Sequence, residues 1–338
     1  MWLVRPAQPN DVDGIRKLAA DSDGQLSTTL PRTEEGLADK IELSARSFAG
    51  EVGPESNQRF LFVLEDSERV EIAGVAGIDG RSGNGQPFYN YRRDALIHAS
   101  HELGVSRRVE VLYPSHALTD RTLLGSFVIA PKLRGSEAFE LLSRARLLFI
   151  AGHREWFTDD MVVEIQGVKN DSGEVPFWDS LGHHFFNMDF DTADNYSGML
   201  SKTFIAELMP PNPIYVTLLT EAAQNALGQP HPDTVKTIEL LRQEGFHAGS
   251  YVDIFDGGPV LEARTNNLKT IVTSHCKKLH AAEEESAETC LLASGEREAF
   301  RCTVTDISET LDDGVKAPLK VLKALGCSSG DWVRVAPL

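Results

Sequence analysis

One stretch constrains the fold more than any other. Residues 122–130 read TLLGSFVIA, an apolar run rich in β-branched and aromatic side chains that stops at Pro131. Such a run is the pattern of a central strand, because a proline cannot continue the hydrogen-bond ladder. The short segment KLRGS follows, and then EAFELLSRARLLFIAGHREWF. There Ala138, Leu141, Leu142, Ala145, Leu148 and Phe149 share one helical face, which Phe139, Leu147 and Ile150 broaden. A helix apolar over so wide an arc has to be buried.

The flanking sequence is read the same way. A strand is expected near residues 2–5, a helix over 12–20 after an Asn-Asp cap signal, and a helix over 33–48 with Leu37, Ile41, Ala45 and Phe48 in phase. Strands are expected at 59–64 and 71–78. MVVEIQGV predicts a strand, PFWDSLG a short helix ending at Gly182, and HHFFNMDF a further strand. HPDTVKTIELLRQEGF predicts a helix from Pro232 to Gly245, with YVDIF as the strand after it. The 338 residues suggest about two domains. Composition shifts after residue 265, where the acidic AAEEESAE suggests an exposed loop or linker, and FRCTVTDI, APLKVLKALG and GDWVRVAPL follow. The reading is an α+β chain: residues 1–265 form a mixed sheet flanked by helices, in two related halves dividing near 200, and 266–338 form a small β-rich C-terminal domain.

Charge and composition exclude several classes. With 33 Lys+Arg against 50 Asp+Glu the net charge is −17, a field that disfavours nucleic acid and anionic membranes. No apolar run approaches the roughly 20 residues needed to span a bilayer. The opening residues turn polar within ten positions, unlike a secretory signal, so a cytoplasmic location is expected. Cys276, Cys290, Cys302 and Cys327 lack zinc or dithiol spacing and are expected to be reduced structural thiols. The pairs His98/His101 and His183/His184 lack hydrolytic metal-site spacing, so no metal is expected.

A strand running through a glycine-containing loop into a helix gathers unpaired amides and the positive end of the helix dipole, which suits a diphosphate. Lys132, Arg134, Gly135 and Ser136 occupy that loop, although Glu137 follows where a carboxylate repels phosphate. In CoA-dependent acyltransferases of the GNAT superfamily the corresponding loop runs Gln/Arg-x-x-Gly-x-Gly/Ala, and this one keeps its basic start and central glycine. Over nearly the whole length, LVRPAQPNDVDGIRKLA, PFYNYR, RARLLFIA, SGEVPFWDSLGHHFFNMDF, TFIAELMPPNPIY, GQPHPDT and EGFHAGSYVDIFDGGPVLEA resemble the arginine N-succinyltransferase family. GQLSTTLP, LYPSHALTD and KLRGSEAF depart from its single-chain members, and the sequence is closer to the alpha-type chain of two-chain enzymes.

The resemblance implies a GNAT-like core and transfer of succinyl from succinyl-CoA to the α-amine of L-arginine, with ornithine as a second acceptor. It also implies no permanently bound cofactor and a homo-oligomer or a hetero-oligomer with a paralogous chain. It places a proton-donor histidine at His231 and a succinyl-CoA contact at Phe127. The chemistry further requires carboxylates for a guanidinium and a cation for the succinyl carboxylate. Asp253, Asp256 and Glu164 are candidates for the first, Glu164 also as general base, and Arg92 for the second. Phe88, Tyr89 and Tyr91 suit core packing or a pocket wall.

Overall fold

The computed structural model describes all residues except 22–29, 32, 54–57, 70, 171, 200–202, 283–287 and 311–312. Its strands, in chain order, are β1 (Trp2–Pro6), β2 (Arg59–Asp66), β3 (Glu71–Asp79), β4 (Asn90–Ser100), β5 (Val105–Ser115), β6 (Thr122–Ile129), β7 (Asp160–Glu164) and β8 (Ile214–Tyr215). They continue with β9 (His247–Asp253), β10 (Pro259–Arg264), β11 (His275–Ala282), β12 (Glu288–Ser294), β13 (Arg301–Glu309), β14 (Val315–Pro318) and β15 (Trp332–Pro337). They join in one mixed sheet ordered β12-β15-β11-β14-β13-β1-β2-β3-β6-β7-β10-β9-β4-β5-β8. The C-terminal strands attach through the edge of β1, where Val4 pairs with Cys302 and Thr303 Oγ1 donates to the Trp2 carbonyl at 2.7 Å.

Strand β2 shows why helices cover both faces around it. Phe60, Phe62 and Leu64 point into the core beneath helix α3 (Glu137–Gly152), while Leu61 and Val63 pack with Ile15 of α1 (Val12–Asp21) and Leu37 and Ile41 of α2 (Glu34–Phe48). A strand buried on both faces reads as an unbroken apolar run, which RFLFVLED is. In α3 every residue from Ala138 to Ile150 except Glu140 is buried. That burial includes Arg144, whose guanidinium meets Glu244 at 3.0 Å.

One expectation fails locally, and one element has no sequence signal. HHFFNMDF is not a strand: Trp178–Gly182 and His183–Phe186 are consecutive helical turns, Asn187 closes them with φ +50°, and the next helix begins at Phe190. The aromatic spacing serves packing of Phe186 on Trp178, with ring centroids 5.2 Å apart. The hairpin formed by β4 and β5, residues 90–115, carries no apolar alternation to announce it, since its outer half is mostly exposed. GQLSTTLP falls mostly, and AAEEESAE partly, outside the described residues.

Candidate active site

The sheet opens where β6 meets β7. These strands are parallel and pair only at Thr122 with Met161 and Leu123 with Val162. Beyond that point β6 continues along β3 and β7 continues along β10, so the two part. A cavity of about 320 Å³ fills the gap, with Ser126, Phe127 and Ile129 on one lip and Val163 and Glu164 on the other.

The β6 lip is distorted at the same place. Gly77 pairs with Gly125 and Val75 with Val128, so Ser126 and Phe127 together oppose Ala76. Two residues against one is a bulge, and Ser126 takes the left-handed region at φ +51° to make it. Glycine at 77 allows the close approach, because a Cβ there would stand 3.1 Å from Ser126 Cβ. The bulge interrupts the ladder where the cavity begins.

Past β6 the chain forms a turn at Pro131–Leu133, enters the left-handed region at Gly135 (φ +72°) and starts α3. Ser136 stands at the cap position, but its Oγ donates to the Leu133 carbonyl at 2.7 Å instead of accepting from the helix. The first-turn amides of Glu137, Ala138 and Phe139 therefore have no side-chain cap. Lys132 and Glu137 are exposed beside this loop. Arg134 turns inward to line the cavity and holds Asp233 at 2.9 Å.

Asp233 belongs to the turn that carries His231. The backbone N–H of His231 donates to the Gln166 carbonyl just beyond β7, at 2.8 Å. Its Nδ1 accepts from the Asp233 amide at 3.2 Å, capping the turn Pro232–Thr234 that leads into the helix Val235–Glu244. With Nδ1 an acceptor, the neutral ring carries its proton on Nε2. His231 is half-buried and stands beside the cavity, whose lining includes its neighbours Gln166, Asp233 and Thr234.

Glu164, Asp253 and Asp256 all line the cavity. Glu164 accepts from Asn90 Nδ2 at 2.7 Å. Asp253 Oδ1 accepts the amides of Phe255 and Asp256 at 2.7 and 2.9 Å, which shapes the turn from β9 to β10. Asp256 is buried, and its two oxygens accept from Gly167 and Gly258, both at 2.7 Å. Burial, with Asp253 beside it, raises the Asp256 carboxyl well above its ordinary range. A group so engaged is a brace for the loop after β7 and is poorly placed to take a guanidinium.

Arg92 is not brought to the cavity. It lies on β4 with its guanidinium 3.3 Å from Asp94 and 5.6 Å from the Tyr113 ring centroid, because the residues of the hairpin pair across their own surface. Tyr91 is fully buried in the core, whereas Phe88 and Tyr89 do reach the cavity. Four cations that the sequence reading missed line it instead: Lys40, Arg59, Arg146 and Lys236. For Arg146 a signal existed, since a charge on a helix buried all round needs a reason. Among the described residues, no cluster of three or more His, Cys, Asp or Glu could hold a metal, and no helix is long and apolar enough to cross a membrane.

A splayed parallel pair, a bulge on one lip and a helix N-terminus at the end of the same strand define the site of a mixed sheet flanked by helices, here extended by a β-rich C-terminal region. The chain belongs to the arginine N-succinyltransferase family: residues 2–270 match the family described as arginine N-succinyltransferase beta subunit, and 275–337 match the C-terminal domain of that description. The arginine N-succinyltransferase subunit alpha of Pseudomonas aeruginosa is 41% identical over 99% of each chain. The arginine N-succinyltransferase of Escherichia coli O6:H1 is 38% identical over 100% of this chain and 98% of its own. The solved structure of arginine/ornithine succinyltransferase subunit AI from Pseudomonas aeruginosa superposes with a TM-score of 0.91 at 38% identity, covering 100% of this chain and 98% of that one.

Proposed function

We propose that the chain transfers the succinyl group of succinyl-CoA to the α-amine of L-arginine, releasing CoA, with ornithine as a second acceptor. The observation that carries this reading is the opening between β6 and β7, which joins a helix N-terminus suited to a diphosphate to a cavity holding both cations and carboxylates. A long acyl-CoA threads such an opening with its diphosphate on the loop of Lys132, Arg134, Gly135 and Ser136 and its thioester beside Phe127. The neutral amine attacks the thioester carbonyl directly, the tetrahedral oxyanion collapses, and CoA departs as the thiolate. No covalent enzyme intermediate is needed.

Glu164 is the candidate to take the proton lost by the amine, and Asp253 to face the guanidinium. His231, beside the cavity, is the candidate donor through Nε2–H toward the oxyanion or the departing sulfur. Its Nδ1 already accepts the Asp233 amide, so the role given to this histidine is a hydrogen bond donated by Nε2–H. The reading includes a cytoplasmic enzyme that assembles as an oligomer, with residues 266–338 in a structural role; the four cysteines are free thiols, as a reducing compartment requires.

The test is mass analysis of the amine product formed from succinyl-CoA and L-arginine. Succinylation of the α-nitrogen is expected, and a different acyl acceptor atom or no acylated product overturns the reading. A second reading, a supporting subunit for an active paralogous chain, is favoured by one feature: Glu137 puts a carboxylate in the first turn of α3, where a diphosphate would sit.

A further inference from the structure

Arg146 has no role in the scheme above, and its surroundings do not account for it. The side chain is 4% exposed, in the middle of α3, under the bulge of β6. Among the described residues its Nε and Nη1 reach only the carbonyls of Ser143 and Gly77, both at a long 3.3 Å, and its guanidinium lies 5.2 Å from the Phe127 ring centroid. Among the described residues no carboxylate stands within ion-pair distance of it. Three other cations at the cavity differ: Arg59 faces Asp79 at 3.6 Å, Arg134 faces Asp233 and Lys236 faces Glu239. Arg144, equally buried and two residues away, is neutralised by Glu244.

A buried charge without a counter-charge is costly, and burial alone pulls this guanidinium down to about 9. A cation kept at that cost while lining a cavity is arranged for an anion that arrives with a ligand. Position decides which anion. Arg146 is nine residues beyond Glu137, about 14 Å along the helix axis, so it cannot serve a diphosphate at the N-terminus of α3. It lies instead beside Phe127, at the end of the opening where the acyl chain of a threaded thioester would end.

We propose that Arg146 binds the terminal carboxylate of the acyl group and thereby selects dicarboxylic acyl-CoAs over monocarboxylic ones of the same length. The inference rests on the acyl-transfer reading above and names the part of the site that chooses the donor. The planar guanidinium matches a carboxylate at two oxygens, and the edge left by its two weak carbonyl contacts supplies the donors. Arg92, on the outer hairpin, is relieved of this role.

The experiment compares kcat/KM for succinyl-CoA and butyryl-CoA, which have equal carbon counts, in the wild type, Arg146→Met and Arg146→Lys. The wild-type rates test the transfer reading by themselves, and the change in their ratio tests Arg146. Arg146→Met is expected to lower kcat/KM for succinyl-CoA on the order of 10²- to 10³-fold, to leave butyryl-CoA unchanged or improved, and to leave KM for arginine unaltered. Arg146→Lys, which keeps the charge but not the fork, is expected to lose at least about tenfold of the preference. Removing an unpaired buried cation should also leave the apoprotein's melting temperature unchanged or raised. Equal losses for both donors, or a preference that survives in both variants, would overturn the proposal. So would a rise in KM for arginine alone, which would give Arg146 to the acceptor. If Arg146→Met does not fold, the guanidinium is structural, and the lysine variant settles selectivity independently.

Discussion

Arg134 Nη1 lies 2.9 Å from Asp233 Oδ2 and ties the loop at the start of α3 to the turn that presents His231. The two residues are far apart in sequence, so neither motif announces the other. Both partners are partly exposed, so the pair contributes little stability, on the order of 1 kcal/mol or less. Its consequence is positional. Asp233→Asn is expected to shift the melting temperature by no more than about 2 °C and to lower turnover several-fold by loosening His231. Full activity in that variant would show that the two elements are set independently.

His231→Ala removes the Nε2–H donor and is expected to lower kcat by about 10²- to 10³-fold. The lost cap costs about 1 kcal/mol, too little to unfold the chain. Parallel measurement of turnover and thermal melting checks both parts, and an unaltered rate removes the residue from the chemistry.

Glu137 carries two opposed effects. Beside the first turn of α3 its carboxylate favours the helix dipole, but it also repels a diphosphate placed there. Glu137→Gln is expected to destabilise the chain by a few tenths of a kcal/mol and to tighten CoA about two- to fivefold by calorimetric titration. Weaker CoA binding would show that the diphosphate lies elsewhere.

The bulge predicts a strict requirement at Gly77. A methyl there would stand 3.1 Å from Ser126 Cβ, so Gly77→Ala must push the left-handed Ser126 or flatten the bulge. A cost of about 1–3 kcal/mol is expected in denaturant titration, with a larger fall in acyl transfer than in CoA affinity. If transfer and affinity fell together, the bulge would be serving binding alone.

Thiol chemistry checks the packing of the C-terminal strands. Cys276 is exposed, whereas Cys290 and Cys302 are buried. Burial pushes the Cys290 thiol up to about 11 and raises that of Cys302 further. At pH 8 an aromatic disulfide reagent should react rapidly at Cys276 and reach Cys290 and Cys302 only after unfolding. Loss of the fast phase in Cys276→Ser confirms the assignment, and rapid labelling of Cys290 contradicts the packing.

What was legible in the sequence follows from where local pattern and tertiary structure agree. The unit from β6 through the loop to α3 could be read because both elements are buried over most of their surface, so their composition is uniform and Pro131 and Gly135 mark the joint. The hairpin of β4 and β5 could not, because its outer residues face solvent and obey no apolar period. The aromatic HHFFNMDF mimicked a strand, yet Phe186 meets Trp178 across helical turns. Site residues divide similarly. Glu164 and Phe127 lie on readable strands that form the cavity lips. Asp256 and Arg92 carried suitable charge, but their partners, two amides for one and Asp94 for the other, were invisible in the sequence. The sequence showed two arginines in an apolar helix, Arg144 and Arg146, but which of them is neutralised was visible only in the structure, where Arg144 meets Glu244.

The most direct test of the central claim is release of free thiol from succinyl-CoA by the purified chain, with and without L-arginine, alongside calorimetric titration of CoA. The account predicts thiol release that depends on arginine, and saturable CoA binding. Absence of both would contradict an autonomous succinyltransferase and assign the chain to support of a partner.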